Sequence, residues 1–77
     1  MPRKYKSLIN VAMLAALGRV NELKIRVKGA IRNGCTLEEI KEALIQAMIA
    51  GAPAGVEGFR TTKEAIEELR REGLDIK

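Results

Sequence analysis

Apolar residues recur along this chain at helical spacing and never alternate with polar ones for long, which predicts an all-α fold. Four helical segments are punctuated by glycines at 18, 34, 51 and 73. The first runs from about Arg3 to Leu17 and stops at Gly18, the residue type that most readily closes a helix in the left-handed conformation. The second starts near Asn21, a plausible N-cap, and ends at Gly34 after Arg32 and Asn33. Leu23, Val27, Ala30 and Ile31 share one of its faces. The third opens on Thr36-Leu37-Glu38-Glu39, a capping box, carries Ile40, Leu44 and Met48 on one stripe, and ends at Gly51. Pro53 suits the start of the fourth, which runs to about Glu72. Its apolar stripe is thin: Val56, Phe59, Ile66 and Leu69, with Glu64, Glu67, Glu68, Arg70 and Arg71 facing water. Neither a linker nor an internal repeat divides the chain, so residues 1–77 read as one domain, a bundle of about four helices.

Two stretches, Leu8 to Leu17 and Ala43 to Ala50, are apolar nearly all round. A helix hydrophobic on every side must be covered on every side, and three partner helices rarely manage that. The chain has 77 residues, 47% of them hydrophobic, one cysteine and no histidine. A domain of this size usually needs disulfides, a metal or oligomerisation for support. An intrachain disulfide is impossible and a zinc site would be short of ligands. The expectation is a homo-oligomer.

Charge adds a second pattern. The formal net charge is +4, but residues 1–34 carry eight basic side chains against Glu22 alone, and the remainder six against nine acidic ones. A basic front half suits an anionic substrate, nucleic acid, a membrane surface or the acidic half of a neighbouring subunit. Without histidine, Ser-His-Asp and Cys-His catalysis and His-ligated metals or haem are excluded. No cofactor or metal is expected. Met1 to Leu17 superficially resembles a signal peptide, with Arg3, Lys4 and Lys6 before an apolar run. That run contains Asn10 and is too short to span a bilayer. It reads as a helix of the mature protein, which predicts a cytoplasmic protein without membrane attachment.

The order of several motifs resembles the carboxymuconolactone decarboxylase family, which shares its fold with the alkylhydroperoxidase D-like proteins. The resemblance is carried by Lys6-Ser7-Leu8-Ile9-Asn10-Val11-Ala12, Leu14-Ala15-Ala16-Leu17-Gly18-Arg19 and Asn21-Glu22-Leu23-Lys24. It continues through Gly29-Ala30-Ile31-Arg32-Asn33-Gly34, Thr36-Leu37-Glu38-Glu39-Ile40 and Gly51-Ala52-Pro53-Ala54, and covers about Arg3 to Glu68. It implies an alkylhydroperoxidase D-like bundle assembled as a trimer or hexamer. It also implies a short form, without the N-terminal helical segment usual in the family. Peroxidase-type relatives use a glutamate, a Cys-x-x-Cys pair and a histidine. Ser7, Arg19, Glu22 and Arg26 stand in those places here, so dithiol peroxidase or disulfide reductase chemistry is not implied. Decarboxylase-type relatives usually keep the histidine, where this chain has Arg26.

Arg26 and Glu22 are accordingly the candidate site. Arg26 would bind a carboxylate of a small lactone-like substrate and Glu22 would handle a proton or orient Arg26. Against this stands an ordinary i, i+4 surface ion pair. Cys35, next to the Thr36 cap, could have its pKa lowered by the helix dipole, or be a loop or partly buried thiol. Gly51-Ala52-Pro53-Ala54-Gly55, with Gly58 and Glu57 nearby, could bind an anion at exposed amides, or let two helices approach closely. The Arg3-Lys4-Tyr5-Lys6 cluster suits a solvated helix start, or a bridge to the acidic fourth helix of another subunit. Ala30, Gly34 and Ile40 match a helix-turn-helix. The helix that would enter the groove begins with Glu38, Glu39 and Glu42 against Lys41, which argues against nucleic acid. The functional expectation is therefore binding, and decarboxylation or isomerisation, of a small carboxylated compound. A non-catalytic oligomeric remnant or binding protein of the same fold is the alternative.

Overall fold

In the computed structural model, which describes residues 1–76, four helices follow one another and no strand occurs among the described residues. Helix α1 spans Arg3–Leu17, α2 Val20–Arg32, α3 Leu37–Ala47 and α4 Ala52–Arg71, with a 3-10 turn at Met48–Ala50 leading into α4. Among these residues no helix is long and apolar enough to cross a membrane.

Three of the four helices stop in the same way. At the end of α1 the Gly18 amide donates to the Ala15 carbonyl and the Arg19 amide to that of Leu14, with Gly18 at φ 73°. The same double bond closes α2 at Gly34 and Cys35, and α4 at Gly73 and Leu74. This is a Schellman motif, and its central residue needs the left-handed conformation that glycine adopts without steric strain. After Gly18 the chain turns straight into α2. The helix begins at Val20, with Arg19 as N-cap and no side-chain cap, rather than at the expected Asn21. The α3 capping box forms as read: the Glu39 amide donates to Thr36 Oγ1 at 3.1 Å and the Thr36 amide to Glu39 Oε1 at 2.9 Å.

The core lies where all four helices meet. Val11 and Ala15 of α1, Leu23 and Val27 of α2, Ile40 and Leu44 of α3, and Ala65 and Leu69 of α4 are all closed to solvent. Helix α4 corrects the expected stripe. Val56 and Phe59 are exposed, and the buried face runs through Gly55, Gly58, Thr61, Ala65, Ile66 and Leu69. Close approach decides that face. A Cβ built on Gly58 would lie 2.8 Å from Leu44 Cδ2 and 3.2 Å from Ala15 Cβ, so the absence of a side chain is what lets α4 reach α1 and α3. A hydrophobicity pattern gives such a glycine no weight, although it occupies a core position.

The charge asymmetry is answered within the chain. Lys24 reaches Glu68 at 2.6 Å and Glu64 at 3.4 Å, Lys28 reaches Glu68 at 2.7 Å, and Arg32 lies 3.8 Å from Glu72. Lys4 pairs with Glu39 of α3 at 2.9 Å. The basic α2 thus zips onto the carboxylates Glu64, Glu68 and Glu72 of the α4 segment, and the basic start onto α3, where a solvated helix start or a bridge to a neighbour's fourth helix was expected. Apolar cover, by contrast, is incomplete. Tyr5, Ile9, Met13 and Leu17 form an exposed stripe along α1, and Ile45, Met48 and Ile49 stand exposed at the end of α3.

Candidate functional site

Helix α2 has two differently used sides. Leu23, Val27 and Ala30 turn into the core, with Lys24 and Lys28 flanking them toward α4. Glu22, Ile25, Arg26 and Gly29 recur at i, i+3, i+4 and i+7 on the opposite side. Glu22 and Arg26 are exposed there, and Ile25 is 66% exposed. A Cβ at Gly29 would meet nothing within 4 Å, which leaves a flat, open patch beside Arg26.

The two predicted site residues share this face but are not joined as an ion pair. Glu22 accepts a hydrogen bond from the Arg19 guanidinium, one helical turn before it. The expected Glu22–Arg26 bridge is replaced by Arg19–Glu22, because the N-cap position of Arg19 places its long side chain over the first turn. Among the described residues Arg26 has no carboxylate within ion-pair distance. Arg19, Lys24, Lys28 and Arg32 around it are all paired. A shallow cleft of about 280 Å³ is lined by Gly18, Arg19, Val20, Asn21 and Glu22, and it does not extend to Arg26. An enclosed pocket at Arg26 therefore requires a second wall.

The electrostatics separate the two sides further. Hydrogen bonds from Lys24 and Lys28 hold the Glu68 carboxyl well below the usual carboxylate range, at about 2. Its hydrogen bond to Glu68 in turn raises the Lys24 ammonium above its ordinary value. Hydrogen bonding to the Thr36 amide, and then to Lys4, lowers Glu39. These groups are committed to structure. Their signal was available in the sequence, since Lys24 and Lys28 match Glu64 and Glu68 in i, i+4 spacing on two helices.

The remaining candidates resolve into packing. Cys35 is buried, its thiol donating to the Lys4 carbonyl at 3.5 Å. Burial pushes this thiol's pKa up, opposite to the expected helix-dipole effect. Gly55 and Gly58 sit against Met48, Leu44 and Ala15, so the small-residue elbow serves close helix approach. Glu57 beside it is tied to Arg60 at 3.1 Å. Ala30 and Ile40, two residues of the helix-turn-helix spacing, are closed core positions. One contact escaped the sequence reading: Asn33 Nδ2 donates to Ser7 Oγ at 3.0 Å and ties the end of α2 to the start of α1.

Comparison with known proteins points the same way as the motif order. The profile of the carboxymuconolactone decarboxylase family matches residues 1–68. The chain is 34% identical over 70 residues to 4-carboxymuconolactone decarboxylase of Acinetobacter baylyi, covering 90% of this chain and 52% of that protein. It is 31% identical over 74 residues to nitrosuccinic acid decarboxylase of Metarhizium robertsii, covering 95% of this chain and 52% of that protein. The chain thus spans about half the length of these curated relatives. With a profile match over nearly its whole length, the chain belongs to the carboxymuconolactone decarboxylase family.

Proposed function

We propose that this protein binds a small carboxylated compound on the outer face of α2 and decarboxylates it, as a homo-oligomer in which a neighbouring subunit supplies the second wall of the site. The observation that carries this reading is Arg26, the α2 cation left without a carboxylate among the described residues while Arg19, Lys24, Lys28 and Arg32 are engaged. An exposed guanidinium offers a planar pair of donors to a carboxylate. The two relatives are named for decarboxylation of carboxylated compounds, one of them a succinic acid derivative.

The chemistry limits what each residue can do. In decarboxylation the bond to the carboxylate carbon breaks, carbon dioxide leaves, and the electron pair stays on the substrate carbon until a proton replaces it. A guanidinium clamped on the departing carboxylate would stabilise the ground state and slow that step. Arg26 therefore serves best on a carboxylate that remains, and Glu22, one turn away, handles the incoming proton. With one cysteine in the sequence, a dithiol within the chain plays no part. The cytoplasm, where the single thiol of Cys35 stays reduced, is the compartment that suits it.

Support for assembly comes from the uncovered apolar surface: the α1 stripe, Ile25 beside Arg26, and the exposed end of α3. A trimer or hexamer would bury it. Calorimetric titration with nitrosuccinate and with 4-carboxymuconolactone tests the ligand, and light scattering tests the assembly. Binding is expected to be retained in Glu22→Gln with carbon dioxide release abolished. A monomer at every concentration, or no binding of either compound, contradicts the reading.

A further inference from the structure

The hairpin of α3 and α4 encloses a separate cleft of about 360 Å³, within the range of small-ligand pockets. Its floor is apolar: Leu44 and Ile66 are buried and Phe59, 38% exposed, stands at the edge. Its rim holds Lys41, Lys63 and Arg70 against Glu38 and Glu67, leaving one positive charge in excess. None of these three cations lies within ion-pair distance of a carboxylate among the described residues. That holds although Glu38 and Glu67 stand one turn away on the same helices.

A second, independent feature lies in the same place. Thr62 lines the cleft, and among the described residues its Oγ1, closed to solvent beneath the cleft, is the buried side-chain polar atom without a hydrogen-bond partner. Folds leave few such atoms, because an unanswered buried hydroxyl weakens them. Leu44 lies against Gly58. The return of the chain from α3 into α4 then sets Lys41 about level with Thr62 and Lys63. Two lysines without a carboxylate partner among the described residues thus flank the cleft, one from each helix.

We infer that this cleft binds a small amphipathic carboxylate, its anion held by Lys41 and Lys63 and its apolar body lying on Phe59 and Ile66. An inorganic anion would leave the apolar floor uncovered. A neutral apolar molecule would leave the ammonium groups unanswered. The site is distinct from the α2 face, and it stands whether or not Arg26 binds a ligand.

The test is a nitrogen-15 NMR titration of the full chain with 3-phenylpropanoate, and with 3-phenylpropanamide as its uncharged match. Saturable shifts centred on Lys41, Thr62 and Lys63 are expected, with the amide weaker by about tenfold or more. The double variant Lys41→Gln/Lys63→Gln should lose about tenfold or more in affinity, and Arg26→Gln should lose none. Thr62→Val should leave the affinity unchanged while raising the Tm of the free chain, since the unpaired hydroxyl beneath the cleft is then gone. Equal binding of the amide overturns the inference, as do unchanged affinity in the lysine variant and shifts that vanish in Arg26→Gln. Because Arg26→Gln is read in the same titration, failure of the cleft and failure of the α2 reading are told apart.

Discussion

The two sides of α2 use their cations in opposite ways. Toward α4, Lys24 and Lys28 converge on Glu68 at 2.6 and 2.7 Å, beside the closed core residues Leu23 and Val27. On the outer side Arg26 meets no carboxylate among the described residues and stands beside the exposed Ile25 and the open Gly29. The difference shows that a basic stretch does not by itself indicate a ligand. Half of the basic side chains of residues 1–34 are taken up by helix-to-helix pairing, and function has to be sought in what is left over.

The strongest way to break this comparison is through the core. Leu23→Ala should destabilise the chain by about 2–5 kcal/mol in denaturant unfolding, through lost burial plus the cavity left behind. Ile25→Ala on the other side should stay within about 0.5 kcal/mol in the dissociated subunit. A larger loss for it in the assembled protein is expected where a neighbouring subunit covers Ile25. Gly58→Ala comes next. Its new methyl crowds Leu44 and Ala15, an overpacking cost of about 1–3 kcal/mol. The gain of about 1 kcal/mol in helix propensity from replacing glycine offsets part of that.

A smaller effect isolates the charge side. Glu68 titrates at about 2 in the folded chain, below the value of about 4.3 expected when unfolded. Its contribution is therefore complete above about pH 4.3 and is lost as pH falls toward 2. Glu68→Gln should lower the Tm at neutral pH and flatten the decline of Tm across that acidic window. Salt should shrink the difference, because these pairs are partly exposed. Glu22→Gln, which loosens only the exposed Arg19 pair, should change the Tm at neutral pH far less. The smallest expected change is chemical: Cys35, buried and with its pKa raised, should react with a thiol reagent far more slowly in the folded chain than in the unfolded one.

Much of this was legible from residue order alone. The helix ends were marked by Gly18, Gly34 and Gly73, the α3 start by Thr36 and Glu39, and the core faces of α2 and α3 by helical spacing, except that Met48, expected on the α3 stripe, lies past the end of that helix and is exposed. The buried face of α4 was not legible from apolar spacing, because its core positions include Gly55 and Gly58, which hydrophobicity ignores. Backbone proximity, visible only in three dimensions, overrode the apolar Val56 and Phe59. The candidate site was half legible. Spacing placed Glu22 and Arg26 on one face, but whether they pair depends on a competitor, and Arg19 sits close enough to take Glu22. The α3–α4 cleft had no sequence signature, since its lysines, hydroxyl and apolar floor come from two helices with unrelated motifs.

The most direct test of the central claim compares Arg26→Gln with Lys24→Gln, measuring nitrosuccinate affinity and Tm for each. Arg26→Gln should weaken binding by about tenfold or more and leave the Tm unchanged, while Lys24→Gln should lower the Tm and leave affinity unchanged. Full affinity in Arg26→Gln, or loss of binding in Lys24→Gln alone, would contradict the division of α2 into a structural side and a ligand-binding side.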